Sequence, residues 1–70
     1  MSKKEFIEKL IEIMDTEEEI SMSTVLEDVE EWDSLAYVSF LALCKDMDKN
    51  VQPGSILGAK TVEDLYRLIA

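Results

Sequence analysis

Apolar residues recur at helical spacing in three stretches of this 70-residue chain, and no stretch alternates as strands do. The first stretch has Phe6, Ile7, Leu10, Ile11 and Met14. The second has Tyr37, Phe40, Leu41, Cys44 and Met47, and the third has Val62, Leu65, Tyr66 and Ile69. We therefore predict an all-α fold, a small four-helix bundle of three main helices and one short helix, forming a single domain over residues 1–70.

Capping and breaking residues set the expected helix boundaries. Ser2-Lys3-Lys4-Glu5 reads as a capping box, so the first helix should begin there and run to about Asp15. The second helix is predicted from Ser34 to about Asp48. The only proline favours a short helical turn near Pro53 to Leu57, and Thr61 is the expected cap of the last helix.

The segment from Thr16 to Asp33 is long for a helix–helix connection, which usually has about 2–8 residues. Six apolar residues lie along it: Ile20, Met22, Val25, Leu26, Val29 and Trp32. We expect these side chains to pack across the ends of the bundle and to order the loop.

Charge narrows the choice of partners. Sixteen acidic against seven basic residues give a net charge of -9, which disfavours nucleic acid and anionic membranes and favours partners with basic surfaces. No apolar run approaches the roughly 20 residues of a membrane span, and no signal-peptide pattern follows the start. The single cysteine, Cys44, allows no internal disulfide and fits a reducing compartment. We expect a cytoplasmic monomer.

The sequence gives little support for a catalytic site or a metal site. Cys44 lies on the core stripe, and the chain has no histidine to act as its base or to complete a zinc site. Asp46 to Asn50 imitates the start of a calcium-binding loop, but Val51 stands where glycine is needed and Leu57 where glutamate is needed. We predict that the protein is not an enzyme and has neither a catalytic residue nor a metal site.

The start of the second helix is the strongest candidate site. Asp33 is a good N-cap, which places Ser34 at the first helical position, beside free N–H groups and the positive end of the helix dipole. A phosphate attached there would be stabilised by that field. Leu35, Val38 and Ala42 fall opposite the core stripe and predict a docking surface beside Ser34. The residues alone leave Ser34 either as an ordinary first-turn serine or as a covalent site.

Asp33-Ser34-Leu35, opening an apolar helix after a long loop, resembles the carrier-protein family of acyl carrier proteins and peptidyl carrier domains. Val51…Pro53 and Thr61-Val62-Glu63-Asp64-Leu65 match as well, so the resemblance covers the whole chain. It implies that a phosphopantetheinyl transferase attaches 4′-phosphopantetheine from coenzyme A to Ser34, flanked by Asp33 and Leu35. The thiol of this arm carries acyl groups as thioesters and delivers them to partner enzymes. The implied partner contacts are Leu35, Val38, Ala42, Glu30 and Glu31.

The chain also departs from that pattern. Carriers of fatty acid synthesis have acidic residues on the outer face of this helix, where we place Ala36, Ser39 and Lys45. Glu31 stands where the family commonly has glycine. We therefore expect acyl- or aminoacyl-activating and acyl-transferring enzymes of a specialised pathway as partners, rather than bulk fatty acid synthesis. The alternatives are an aminoacyl or peptidyl carrier of a nonribosomal-type pathway and an unmodified helical interaction module.

Overall fold

The computed structural model describes residues 1–69 and contains four α-helices, with no strand in that range. The helices are α1 (Lys3–Met14), α2 (Ser34–Asp46), α3 (Pro53–Leu57) and α4 (Val62–Ile69), and a 3₁₀ turn spans Leu26–Asp28. α1 packs against α2 and α4, and α3 packs against α2 and α4. The predicted all-α bundle of three main helices and one short helix is confirmed. None of the helices within these residues has both the length and the apolar character to cross a bilayer.

α1 forms as the sequence predicts. The Ser2 hydroxyl accepts a hydrogen bond from the Glu5 N–H at 3.1 Å, which satisfies one of the free amides of the first turn. Phe6, Leu10 and Met14, four residues apart, are buried and face the core. Asp15, in the left-handed conformation with φ 51°, ends the helix.

α2 ends at Asp46, two residues earlier than predicted. Asp48 adopts the left-handed conformation with φ 59°, which cannot continue a right-handed helix. The Lys49 N–H then donates to the Cys44 carbonyl at 2.9 Å and satisfies one of the last helical acceptors. Asp takes the place that glycine usually has at such an end, so the sequence lacks the usual stop signal.

The buried row of α2 is Ala36, Phe40 and Cys44, spaced four residues apart. Ala36 is only 2% exposed, so its predicted place on the outer face is wrong. It lies one turn before Phe40 and therefore opens the row that faces the bundle. Of the predicted core stripe, Phe40 and Cys44 are buried, whereas the other members, Tyr37, Leu41 and Met47, are half-buried against the core.

Backbone hydrogen bonds join the long loop to the start of α4. The Leu26 N–H donates to the Lys60 carbonyl at 2.9 Å, and the Val62 N–H donates to the Thr24 carbonyl at 3.1 Å. Around this contact Val25 and Thr61 form a single antiparallel bridge. Val25, in the bridge, is 41% exposed, whereas Leu26, which begins the 3₁₀ turn, is buried.

The other apolar residues of the loop divide between full and partial burial. Ile20 and Val29 are buried, and Met22 and Trp32 are partly buried against the same core. The expectation that the loop packs across the bundle is therefore met by these residues and by Leu26. It is wrong for Val25, because the bridge turns that side chain outward.

Four aromatic rings form a chain through the core. Tyr66 of α4 contacts Phe6 of α1 edge-on with ring centroids 5.3 Å apart, and Phe6 contacts Phe40 of α2 at 6.0 Å. Phe40 in turn contacts Trp32, just before α2, at 6.2 Å. Edge-to-face pairs of this kind add about 0.5–1.5 kcal/mol each beyond their buried area. The three main helices and the approach to α2 therefore depend on one contact chain.

The cap of α4 depends on Asp64. Its carboxylate accepts hydrogen bonds from the Lys60 and Thr61 N–H groups at 3.0 and 3.2 Å, and the Thr61 hydroxyl accepts one from the Asp64 N–H at 3.3 Å. The hydrogen bond from Lys60, followed by that from Thr61, lowers the pKa of the Asp64 carboxyl below its ordinary value of 3.8. The ionised carboxylate therefore stabilises this helix start.

Replacing Phe40 should remove the centre of the aromatic chain. We expect Phe40→Ala to lower the free energy of unfolding by about 3–5 kcal/mol, since the side chain is fully buried. Urea unfolding followed by circular dichroism measures this loss. Leu35→Ala, a truncation at an exposed site of the same helix, should stay within about 0.5 kcal/mol. Equal losses in the two variants would contradict the assignment of the core.

Asp64→Asn should make stability less dependent on acid pH. The folded-state pKa of Asp64 is depressed, so its contribution is present above the unfolded pKa and is lost as pH falls through the folded one. We expect the variant to be less stable than the parent at pH 7, with the difference shrinking below about pH 4. Urea unfolding across this range tests it. Glu17→Gln, at an exposed loop carboxylate, should lower stability less than Asp64→Asn at pH 7.

Candidate functional site at the start of α2

Ser34 is exposed at the first position of α2, where the sequence predicts it. The Asp33 carboxylate accepts a hydrogen bond from the Ala36 N–H at 3.1 Å, and the Asp33 carbonyl accepts one from the Tyr37 N–H at 2.9 Å. Within residues 1–69 the N–H groups of Ser34 and Leu35 have no protein acceptor. The site thus combines an accessible hydroxyl with two free amides at the positive end of a helix.

Trp32 fixes the approach to this cap. Its backbone N–H donates to the Val29 carbonyl at 3.1 Å. Its half-buried indole ring packs edge-on against Phe40. Asp33 follows in extended conformation and is directly joined to that anchor. The position of Ser34 is therefore set by contacts with the core on both sides of the cap.

The two predicted acidic contacts differ in their surroundings. Glu30 is exposed and can meet a partner in solvent. Glu31 is half-buried, and its Oε1 is shielded from solvent with no hydrogen-bond partner among residues 1–69. Glu30 is therefore the better placed of the two for long-range attraction to a basic surface.

The outer face of α2 is apolar beside Ser34. Leu35 is 78% exposed and Val38 is 58% exposed, and Ala42 is exposed one turn further along. Their spacing of three and four residues places them on one side of the helix, as the sequence predicts. Large apolar side chains exposed in a row on a helix are typical of an interaction surface.

Other chemically reactive groups lie away from this surface. Cys44 is buried as a free thiol, and burial raises the pKa of that thiol above its ordinary value. In the part of the chain that the structure describes, no three Cys, Asp or Glu side chains converge to hold a metal ion. The accessible hydroxyl and apolar face at the start of α2 are thus the features from which a function can be argued.

A groove that the sequence reading missed runs between the loop and the end of α3. Val25, Val29 and Trp32 line one side, and Leu57 and Ala59 line the other. These residues are distant in sequence and meet because the loop is bonded to the start of α4. Periodicity does not reveal such a contact, because it describes residues within one segment.

Comparisons with protein-family models, with curated proteins and with solved structures gave no match to this chain. The function of the chain is therefore inferred from the residues and geometry of the site itself. Asp33, Ser34 and Leu35 are brought together at the helix start, and Val38 and Ala42 continue the exposed face behind them.

Asp33→Ala should destabilise the start of α2, because the Ala36 N–H loses its acceptor. The expected loss is about 0.5–2 kcal/mol in the free energy of unfolding, measured by urea titration. Asp33→Asn retains an oxygen acceptor and should lose much less. Equal losses in both variants would show that charge, rather than the capping hydrogen bond, is what Asp33 contributes.

Proposed function

We propose that this chain is a carrier protein on which Ser34 holds a 4′-phosphopantetheine arm derived from coenzyme A. When bound, the arm supplies a thiol that carries acyl groups as thioesters to partner enzymes. The observation that carries the proposal is the exposed Ser34 hydroxyl at a capped helix start, beside an exposed apolar face. The carrier itself performs no chemistry on its cargo, so no catalytic residue is required.

The residues around Ser34 suit a phosphodiester. The free N–H groups of Ser34 and Leu35 and the helix dipole favour negative charge at that position. The Asp33 carboxylate accepts the capping hydrogen bond from the Ala36 N–H, and this contact orients the neighbouring serine. In the attachment step the Ser34 oxygen attacks the phosphorus of coenzyme A that bears the pantetheine. The bond to adenosine 3′,5′-bisphosphate breaks, and the serine proton passes to a base of the transferase.

Leu35, Val38 and Ala42 form the proposed contact surface for the phosphopantetheinyl transferase and for the enzymes that load and unload the arm. Their exposed apolar groups supply area that is buried on docking. Glu30 and Glu31 and the net charge of -9 favour partners with basic surfaces, since opposite charges speed the encounter. The chain is proposed to act as a monomer in the cytoplasm, where the arm's thiol stays reduced.

The proposed partners are acyl- or aminoacyl-activating and acyl-transferring enzymes of a specialised pathway. The outer face of α2 has exposed Ser39 and Lys45 where carriers of bulk fatty acid synthesis have acids, and this difference supports a dedicated partner. An aminoacyl or peptidyl carrier of a nonribosomal-type pathway is the alternative with the same site.

Modification of Ser34 is directly measurable. After incubation with coenzyme A, Mg²⁺ and a broad-specificity phosphopantetheinyl transferase, we expect the intact mass to rise by one phosphopantetheine. Ser34→Ala should abolish the gain. Ser39→Ala removes an exposed hydroxyl from the same helix and should leave the gain intact.

A folded protein that gains no mass would contradict the carrier proposal and favour the unmodified interaction module. Circular dichroism of each sample verifies the fold. A gain that survives Ser34→Ala would place the modification on another residue and would also contradict the proposal.

Reversing the charge at Glu30 should slow modification by the transferase. Glu30 is exposed four residues before Ser34, and exposed charges act over roughly 10 Å at 0.1 M salt. We expect Glu30→Lys to lower kcat/KM more at low salt than at high salt. Glu8→Lys makes the same charge change on the exposed face of α1 and should have a smaller effect. Equal slowing at both salt concentrations would exclude electrostatic attraction as the role of Glu30.

A further inference from the structure

The long loop and the start of α4 satisfy each other's backbone groups. The N–H groups of Val62 and Glu63 lie in the first turn of α4, where a helix offers them no acceptor of its own. The Thr24 carbonyl accepts a hydrogen bond from Val62 at 3.1 Å, and the Met22 carbonyl accepts one from Glu63 at 2.9 Å. Release of the loop would therefore leave two amides of α4 without these acceptors.

Asp64 holds the other side of this junction. Its Oδ2 atom accepts hydrogen bonds from the N–H groups of Lys60 and Thr61 at 3.0 and 3.2 Å. The Lys60 carbonyl in turn accepts a hydrogen bond from the Leu26 N–H at 2.9 Å. One carboxylate oxygen therefore fixes the segment to which the loop is bonded.

The hydrogen bonds continue along the loop toward α2. The Val29 N–H donates to the Leu26 carbonyl at 3.1 Å, and the Trp32 N–H donates to the Val29 carbonyl at 3.1 Å. Trp32 lies two residues before Ser34. A continuous series of hydrogen bonds thus leads from Asp64, in α4, to the segment that precedes Ser34.

The loop depends on the start of α4 more than on the other helices. All the backbone hydrogen bonds that join residues 22–29 to other segments of residues 1–69 lead to residues 60–63. The chain of aromatic rings in the core contacts this region only through Trp32. α4 has eight residues, and a helix of that length is not stable without packing and capping. Loss of the loop should therefore loosen the start of α4 as well.

We propose that residues 22–32 and 60–64 form one cooperative unit, which opens and closes together while α1 and α2 remain packed. Leu26, Val29 and Val62 are buried in the closed unit, so the open state is a minor one. The unit couples the start of α4 to the segment before Ser34, so a partner that holds one of these segments closed also holds the other. This inference goes beyond the proposed carrier function and does not depend on modification of Ser34.

Native-state hydrogen exchange of the unmodified protein, followed by NMR, measures the opening of each amide. We expect one shared opening equilibrium for the five bonded amides of the unit, which are those of Leu26, Val29, Trp32, Val62 and Glu63. The amides of Phe40 and Cys44, in the middle of α2, should be protected at least about tenfold more strongly. Unequal opening of the five amides, or opening only together with α2, would overturn the proposal.

A variant of Asp64 tests whether the two segments are coupled. Asp64→Ala removes the acceptor of two hydrogen bonds on the α4 side of the unit. We expect exchange at Trp32 and Leu26 to quicken by the same factor as exchange at Val62, on the order of tenfold. Faster exchange at Val62 without faster exchange at Trp32 would show two independent segments and would overturn the proposal.

Asp28→Ala is the matched control, because it makes the same change at an exposed residue of the loop. It should alter exchange in the unit by no more than about twofold. Circular dichroism verifies that each variant is folded.

Thiol labelling measures the same opening by a different reaction. Val29→Cys places a thiol at a buried position of the unit, and the native Cys44 is a buried thiol of the core. We expect an aromatic disulfide reagent to label the introduced thiol at least about tenfold faster than Cys44. Equal labelling rates at the two positions would show that the unit opens only when the core unfolds, and this result would overturn the proposal.

Discussion

The edge-on contact between Phe6 and Phe40 is the interaction on which the rest of the structure depends. Both rings are fully buried, and their centroids are 6.0 Å apart. Tyr66 extends the contact to α4 and Trp32 extends it to the loop, so the pair joins every main helix. A chain of this length buries only about 60% of its unfolded surface, so a few large side chains dominate its stability.

The candidate site takes its geometry from that core. Trp32 packs against Phe40, and the next residue, Asp33, caps α2 through the Ala36 N–H. Ala36 and Phe40 belong to the buried row of the same helix. The first turn of α2 is therefore fixed both by the cap hydrogen bond and by packing against the core. Ser34 is thereby presented to solvent from a fixed position while Leu35 remains exposed beside it. The proposed modification of Ser34 requires such an accessible hydroxyl.

The loop before α2 gives the protein its second surface. It lacks regular structure apart from one 3₁₀ turn, and backbone hydrogen bonds to the segment from Lys60 to Glu63 hold it in place. The groove beside Trp32 exists because of these bonds. The exposed apolar face of α2 and this groove are therefore two separate surfaces near the same serine.

The sequence by itself determined the four helices, because the helical spacing of apolar residues and the capping residues such as Ser2 and Thr61 are local signals. It also placed Ser34 at a capped helix start, since Asp33 precedes it directly. Tertiary structure decided which residues of the loop and of α2 face the core. Ala36 turned inward because the packed row runs through Phe40, and Val25 turned outward because Thr61 pairs with it across the chain. Contacts between distant segments fix these orientations and create the groove. The spacing of residues within one segment does not predict such contacts.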